Sequence, residues 1–339
     1  MKIKAFFMAA AAMLCLISCE QKTVITGELN GFENGDSVIF YGSGFSDTVT
    51  VQNGKFVLEY NRPEANRLRF FKIQKNAELM KAVRPVNLFV FPGTSLNISG
   101  DMENCTVSGG KFYEEYNPLL AQMDKMDRDA KYAFAETYIQ EHPTSLVSFY
   151  LIYTMHMKNG GKYLEAFDES VKQGATADLY ADLYKYYEVR KMKDAARELI
   201  QPDKPAPDFT LKNLNGEDFT LSSLKGKYVV LDFWGTWCGW CVKGIPEMKK
   251  MYDKYSDKLE IVSVDHGDSE ETWREGVEKF GMNWTNVRTE YENPEEDLAV
   301  KYAVNGYPTK IIISPEGNIV KVFIGETPEF YKTVETLMK

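Results

Sequence analysis

The sequence predicts a multidomain chain: an N-terminal all-β domain, a helical middle region and a C-terminal α/β domain with a central mixed sheet. Three observations carry that prediction. Asn-Gly turns punctuate short alternating runs early in the chain. Apolar residues then recur at three- and four-residue intervals, and strands alternate with helices beyond a proline-rich linker. At 339 residues there is room for two or three domains, and 44% hydrophobic with 13% aromatic content supports packed cores. A formal net charge of −9 argues against nucleic acid as a partner, which would call for a basic patch.

Residues 1–18 read as a lipoprotein signal peptide. Met1-Lys2-Ile3-Lys4 is the basic start, and Ala5 to Ile17 is apolar apart from Cys15, too short for a comfortable membrane span. Leu16-Ile17-Ser18-Cys19 resembles a bacterial lipobox, which implies cleavage before Cys19 and lipidation of its thiol. The alternative is an ordinary secretory signal in which Cys19 is incidental. Either way the domains would sit in a compartment that permits disulfides.

Residues 19–110 form the expected β-sandwich-like domain. Asn30-Gly31, Asn34-Gly35, Asn53-Gly54 and Pro92-Gly93 separate runs such as Ser37 to Tyr41 and Lys55 to Tyr60. No catalytic constellation stands out there, and Cys105 reads as an isolated thiol. Residues 111–200 are the helical region, with Phe112, Tyr116, Leu119, Leu120, Met123 and Met126 at helical spacing and a new start at Pro143-Thr144-Ser145. Tyr180, Tyr184, Tyr186 and Tyr187 read as packing between helices rather than as a binding face.

Gln201 to Pro207 is the linker that opens the last domain, 201–339. Lys227 to Trp234 is a near-continuous apolar strand of the kind buried on both faces. Helices are expected at Gly239 to Tyr255, Glu270 to Phe280, Pro294 to Tyr302 and Pro328 to Met338. Further strands are expected at Leu259 to Val264, Lys310 to Ser314 and Ile319 to Ile324.

Chemistry concentrates at Trp237-Cys238-Gly239-Trp240-Cys241, between the long strand and the helix after it. A thiol at a helix N-terminus has its anion stabilised by unpaired N–H groups and the macrodipole, lowering its pKa to roughly 3.5–7.5. Cys238 holds that place and is expected to be the nucleophile. Cys241, one turn on, would resolve the mixed disulfide. Zinc would need four ligands, and neither Cys105 nor the three histidines has ligand spacing. No metal or cofactor is expected. Covalent haem attachment fails because Val242 follows Cys241, and a structural disulfide would close too short a loop to stabilise much. Asp232, set in the buried strand, is expected to have a raised pKa and to act as acid/base for Cys241; the alternative is a carboxylate at a strand end facing water. Pro308, opening a strand after Tyr307, would leave the Tyr307 backbone free for a substrate strand if its peptide bond were cis.

These motifs resemble thioredoxin-fold proteins, most closely the extracytoplasmic ResA/TlpA-like reductases. The resemblance rests on Asp232-Phe233-Trp234, the Trp-Cys-x-x-Cys motif, Pro246, Gly306-x-Pro308-Thr309 and Gly325, in that order. It implies a thioredoxin fold with Cys238 exposed beside a cis-Pro308 and an extra strand–helix insertion before Pro308. Trp237, Gly239, Trp240, Tyr307, Pro308 and Thr309 would then line the substrate groove. Two departures stand out. Trp240 replaces the proline that thioredoxins carry, and Gly244 stands where ResA-like members often have an acidic residue. Pro205 to Phe209 also resembles the entry of peroxiredoxin-like domains, but Leu231 and Gly235 stand where a peroxidatic site wants proline and threonine.

The expectation is a membrane-anchored thiol–disulfide oxidoreductase that reduces protein disulfides, fed by an upstream membrane electron donor. It would act in the cell envelope, on the periplasmic side of a Gram-negative cell. Oxidase or isomerase activity is the alternative. A different class of reading is a binding lipoprotein that captures a partner or a second copy of itself, with the last domain as accessory. The lipobox and domain order also resemble multidomain thioredoxin-like lipoproteins of Bacteroidetes.

Overall fold

The computed structural model describes residues 22–73, 84–289 and 292–339. The signal segment and Cys19 lie outside the described residues. The chain forms two compact units that divide between Tyr184 and Lys185. Among the described residues no helix is long and apolar enough to cross a membrane.

The first unit begins with eight strands: β1 (Thr23–Leu29), β2 (Ser37–Gly42), β3 (Phe45–Thr50), β4 (Lys55–Tyr60), β5 (Asn66–Lys72), β6 (Val86–Val90), β7 (Leu96–Gly100) and β8 (Cys105–Ser108). They pair as two four-stranded sheets, β4-β1-β7-β8 and β3-β2-β5-β6. Strict alternation of buried and exposed residues along β4 puts Phe56, Leu58 and Tyr60 inside. There the Phe56 ring, from the first sheet, meets Phe40 and Phe70 from the second, at centroid distances of 5.7 and 6.0 Å. Cys105 is a half-buried free thiol, its pKa raised by that burial.

Helices follow: α1 (Gly110–Met123), α2 (Arg128–Glu141), α3 (Leu146–Met155), a 3-10 turn over Gly160–Ala166, α4 (Glu169–Lys172) and α5 (Ala177–Arg197). Phe112, Leu119 and Met123 are buried as their spacing predicts, whereas Leu120 is exposed and Met126 lies past the helix end. Ser145 caps α3 as its sequence suggests, its hydroxyl accepting from Val147 N at 3.0 Å. Of the tyrosines on α5, Tyr187 is buried but Tyr184 and Tyr186 are exposed, so the expected packing role holds for only part of the stretch.

The second unit has a hairpin, β9 (Thr210–Lys212) with β10 (Asp218–Thr220), and a five-stranded sheet. That sheet comprises β11 (Tyr228–Trp234), β12 (Leu259–Asp265), β13 (Thr285–Arg288), β14 (Thr309–Ile313) and β15 (Ile319–Ile324). Its order is β13-β12-β11-β14-β15. β11, β12 and β13 run parallel, and β14 and β15 alternate antiparallel, giving the mixed sheet expected. Helices α6 (Gly239–Tyr255), α7 (Glu270–Phe280), α8 (Leu298–Lys301) and α9 (Pro328–Leu337) complete it. Three strands were given no bounds by the sequence: the two of the short hairpin, and β13, which falls in the interval before Pro308 where the resemblance implied an extra strand and helix. The helix expected over Pro294 to Tyr302 shrinks to α8. Asn293 O takes the N–H of both Glu296 and Asp297 in a preceding turn, and the Asp297 side chain caps the helix at Ala299 N.

Alternation along β11 sorts its side chains between two cores. Val229, Leu231 and Phe233 join Tyr302 and Val264 on one face. Val230 and Trp234 join both cysteines, Met248 and Phe330 on the other. With a period of two, Asp232 belongs to the face that carries the cysteine helix.

Candidate active site

α6 starts immediately after Cys238, which is its N-cap. The Cys238 sulfur accepts the backbone N–H of Cys241 at 3.2 Å, one of the N–H groups that an α-helix leaves unpaired at its start. The two cysteines are joined as a disulfide, with Cα atoms 5.3 Å apart. Cys238 is only 7% exposed, a correction to the exposed thiol that the family resemblance implied. Its bond to Cys241 and its packing in the core beneath the helix draw it inward.

Around it the exposure is apolar. Trp237 and Trp240 are 55% and 64% exposed, and Gly239 between them is open to solvent. Trp237 is held in place: its indole N–H donates to His266 O at 3.0 Å, and its ring meets Tyr307 edge-on at 5.0 Å. Trp240 has the Lys243 ammonium 4.8 Å from its ring centroid. The Tyr307–Pro308 peptide is cis. Pro308 is buried, and so is Thr309, whose hydroxyl donates to Gly306 O at 2.7 Å. Thr309 therefore shapes the loop instead of offering a surface to a client, a second correction.

Asp232 is 6% exposed, so the alternative of a carboxylate facing water does not hold. Parallel pairing sets it opposite Ser263, and antiparallel pairing sets it opposite Lys310. Ser263 Oγ donates to Asp232 Oδ2 at 3.1 Å and itself accepts the Trp284 indole N–H at 2.9 Å. Lys310 Nζ stands 3.8 Å from Asp232 Oδ1 and 2.6 Å from Glu326 Oε2. Burial pushes the Asp232 carboxyl above its ordinary range; Lys310 and Ser263 oppose that shift and Glu326 adds to it.

The sequence reading missed Lys310, Glu326, Asp265 and Asp268. Asp268 fixes the approach to the cysteines, accepting from Thr236 N at 2.7 Å and Thr236 Oγ1 at 2.9 Å. Asp265, fully buried at the end of β12 opposite Trp234, is pushed up to about 8 by burial and then by Asp268. The local signal for the two aspartates was their spacing in Asp265-His266-Gly267-Asp268, at the end of a strand.

The AhpC/TSA family matches residues 202–322. The thiol-disulfide oxidoreductase ResA of Bacillus subtilis is 38% identical over 136 residues, covering 40% of this chain and 74% of ResA. The thioredoxin-like protein YneN of the same organism is 35% identical over 126 residues, covering 37% of this chain and 73% of YneN. Among solved structures, the thioredoxin domain of a thiol-disulfide oxidoreductase from Bacteroides vulgatus has 31% identity and a TM-score of 0.38, covering 41% of this chain and 99% of that one. With identity of that level sustained across most of ResA, and a cysteine pair folded at the head of a helix, this chain belongs to the ResA thiol–disulfide oxidoreductases.

Proposed function

We propose that this oxidoreductase reduces protein disulfides outside the cytoplasm, through Cys238 and Cys241, while anchored to a membrane by lipid on Cys19. The observation that carries the proposal is the Cys238 sulfur accepting a backbone N–H at the start of α6, the arrangement that favours a thiolate. The Cys238 thiolate attacks a client disulfide, forming a mixed disulfide and releasing one client thiolate. Cys241 then loses its proton and attacks the Cys238 sulfur, which closes the 238–241 bond and releases the second client thiolate. Two electrons pass from the cysteine pair to the client, and the client thiolates take up two protons. Asp232, buried on the helix side of the sheet, is the acid/base for Cys241.

Exposed Trp237 and Trp240, with Tyr307 beside the cis-proline, suit an extended apolar client segment better than a small molecule. The domain assignment follows the sequence: 201–339 as the catalytic part, with 19–110 and 111–200 as a sandwich and a helical region. The basic, apolar start of the chain and its lipobox support export and anchoring on the periplasmic side of the envelope. An upstream thiol donor at the membrane would reset the pair.

The test is a trap. Cys241→Ser in the full chain removes the resolving thiol, so a client should stay attached to Cys238 as the mixed disulfide, with its other sulfur released as a thiol, and be identifiable by mass spectrometry. Capture of client proteins, with a reduction potential below that of the strong oxidants, is the expected result. An empty trap counts against a protein client, and an oxidising potential reverses the direction.

A further inference from the structure

Gly244 lies on α6 three residues beyond Cys241, on the same face of the helix and one turn further along. It is buried although it has no side chain. A β-carbon built there would overlap the carboxylate of Glu326. That carboxylate therefore occupies the space a side chain at 244 would fill, but it arrives from another part of the fold. Gly325, at a φ of +84°, makes the turn after β15 that brings Glu326 there, and its N–H bonds Pro308 O at 2.7 Å.

The carboxylate is fixed on both oxygens. Oε2 accepts from Lys310 Nζ at 2.6 Å, and Oε1 accepts from Tyr331 Oη at 2.6 Å. The Tyr331 hydroxyl also lies 3.3 Å from Gly244 O, tying the assembly to the helix turn after Cys241. Lys310 is 2% exposed and bridges Glu326 to Asp232. One buried cation between two carboxylates leaves an uncompensated negative charge when all are ionised, and at Asp232 burial, with the Glu326 charge adding to it, favours the protonated carboxyl. Glu326 is its more open end, with its side chain 17% exposed against 8% for Asp232.

We infer that Glu326 is a positioning residue for Cys241: through the gap at Gly244 it sets the charge that the resolving thiol experiences and, coupled to Asp232 by Lys310, helps to hold the proton that thiol gives up. The inference rests on the exchange chemistry proposed above and deepens it. Atoms balance within that scheme: the Cys241 S–H bond breaks, its proton passes to the carboxylate pair, and the sulfur's electron pair forms the bond to Cys238. The groups facing this carboxylate are Lys310 from β14, Tyr331 from α9 and, across Lys310, Asp232 from β11; Glu247 from α6 acts on the Tyr331 hydroxyl.

The test reads Cys241 directly. In full-length protein carrying Cys238→Ser, the rate of iodoacetamide alkylation of the Cys241 peptide is followed against pH by mass spectrometry. Adding Glu326→Gln keeps the shape and removes the charge. The alkylation midpoint should fall by about one pH unit, roughly a tenfold gain in rate where the thiol is mostly protonated. Glu326→Ala frees the space at 244, and combining it with Gly244→Glu returns a carboxylate from the helix, which should restore the original midpoint. A purely structural role for Glu326 predicts no such rescue. An unmoved midpoint in Glu326→Gln, or a double variant that behaves like Glu326→Ala alone, overturns the inference. Turnover of a peptide disulfide by the unaltered chain is measured alongside. Its absence would sink the exchange chemistry itself, whereas normal turnover with an unmoved midpoint sinks only the role of Glu326.

Discussion

Up to Tyr184, the buried polar side chains among the described residues are Thr23, Asn66, Ser148 and Thr176, none of them charged. From Lys185 onward they include Asp232, Asp265, Asp268, Asp297 and Lys310. Removing an ion from water costs several kcal/mol even after relaxation. The first unit avoids that cost and closes its sandwich with aromatic rings. The second accepts it around one end of a sheet, beside two sulfurs. Within that second unit the contrast sharpens again. Val229, Leu231 and Phe233 send only apolar groups to one face of β11, while Asp232 stands between Val230 and Trp234 on the other. Buried aspartate and lysine side chains thus separate the unit that closes on aromatic rings from the unit that carries the cysteine pair.

Three further experiments press on that contrast. The largest effect is expected in the sandwich, where Phe56→Ala empties a site only 1% exposed among Phe40 and Phe70. It should cost about 3–5 kcal/mol in denaturant unfolding followed by the near-ultraviolet signal of tyrosine and phenylalanine. A loss below about 1 kcal/mol would mean the core refills and is less closely packed than its geometry indicates. Tryptophan fluorescence should follow the other unit separately, because Trp234, Trp237, Trp240, Trp273 and Trp284 are the chain's five tryptophans.

The next effect concerns pH. Asp265 is fully buried with its pKa raised to about 8, above its value in the unfolded chain. Between those two values the folded state binds a proton that the unfolded state does not. Its stabilising contribution is therefore complete at low pH and is lost as pH rises through about 8, by at most about 1.4 kcal/mol per pH unit. The tryptophan-detected melting temperature should fall from pH 5 to pH 8, and Asp265→Asn should flatten that slope. An unchanged slope in the variant would assign the pH dependence to other groups, Asp232 first among them. The smallest effect is at a cap. Ser269→Ala removes the hydroxyl that accepts Thr272 N at 3.1 Å at the start of α7, costing about 1 kcal/mol with no change in that slope.

Much of the site was legible because its signals are local. Cys238 and Cys241 stand at a strand–helix junction that the apolar run and the following periodicity mark out, and the predicted bounds of α6 and α7 match the structure. Asp232 was legible as a charge interrupting that run. Lys310 and Glu326 were not, for a physical reason. Lys310 follows Pro308-Thr309 and reads as the exposed start of a strand. Only the antiparallel register of β11 with β14 turns it inward onto Asp232. Glu326 follows a turn glycine and looks like a surface carboxylate; its partner is an empty position on a helix far earlier in the chain. β13 and the β9–β10 hairpin were given no bounds because segments of four and three residues carry too little periodicity to separate from loop.

Pro246 lies inside α6 and has no N–H to offer the carbonyl four residues before it, at Val242. The hydrogen-bond ladder is therefore interrupted just beyond the turn that bears both sulfurs. Opening or closing the bond between them need not be transmitted down the whole helix. The opening turn can adjust by itself while Met248 and Met251, deeper in the core, keep their seats.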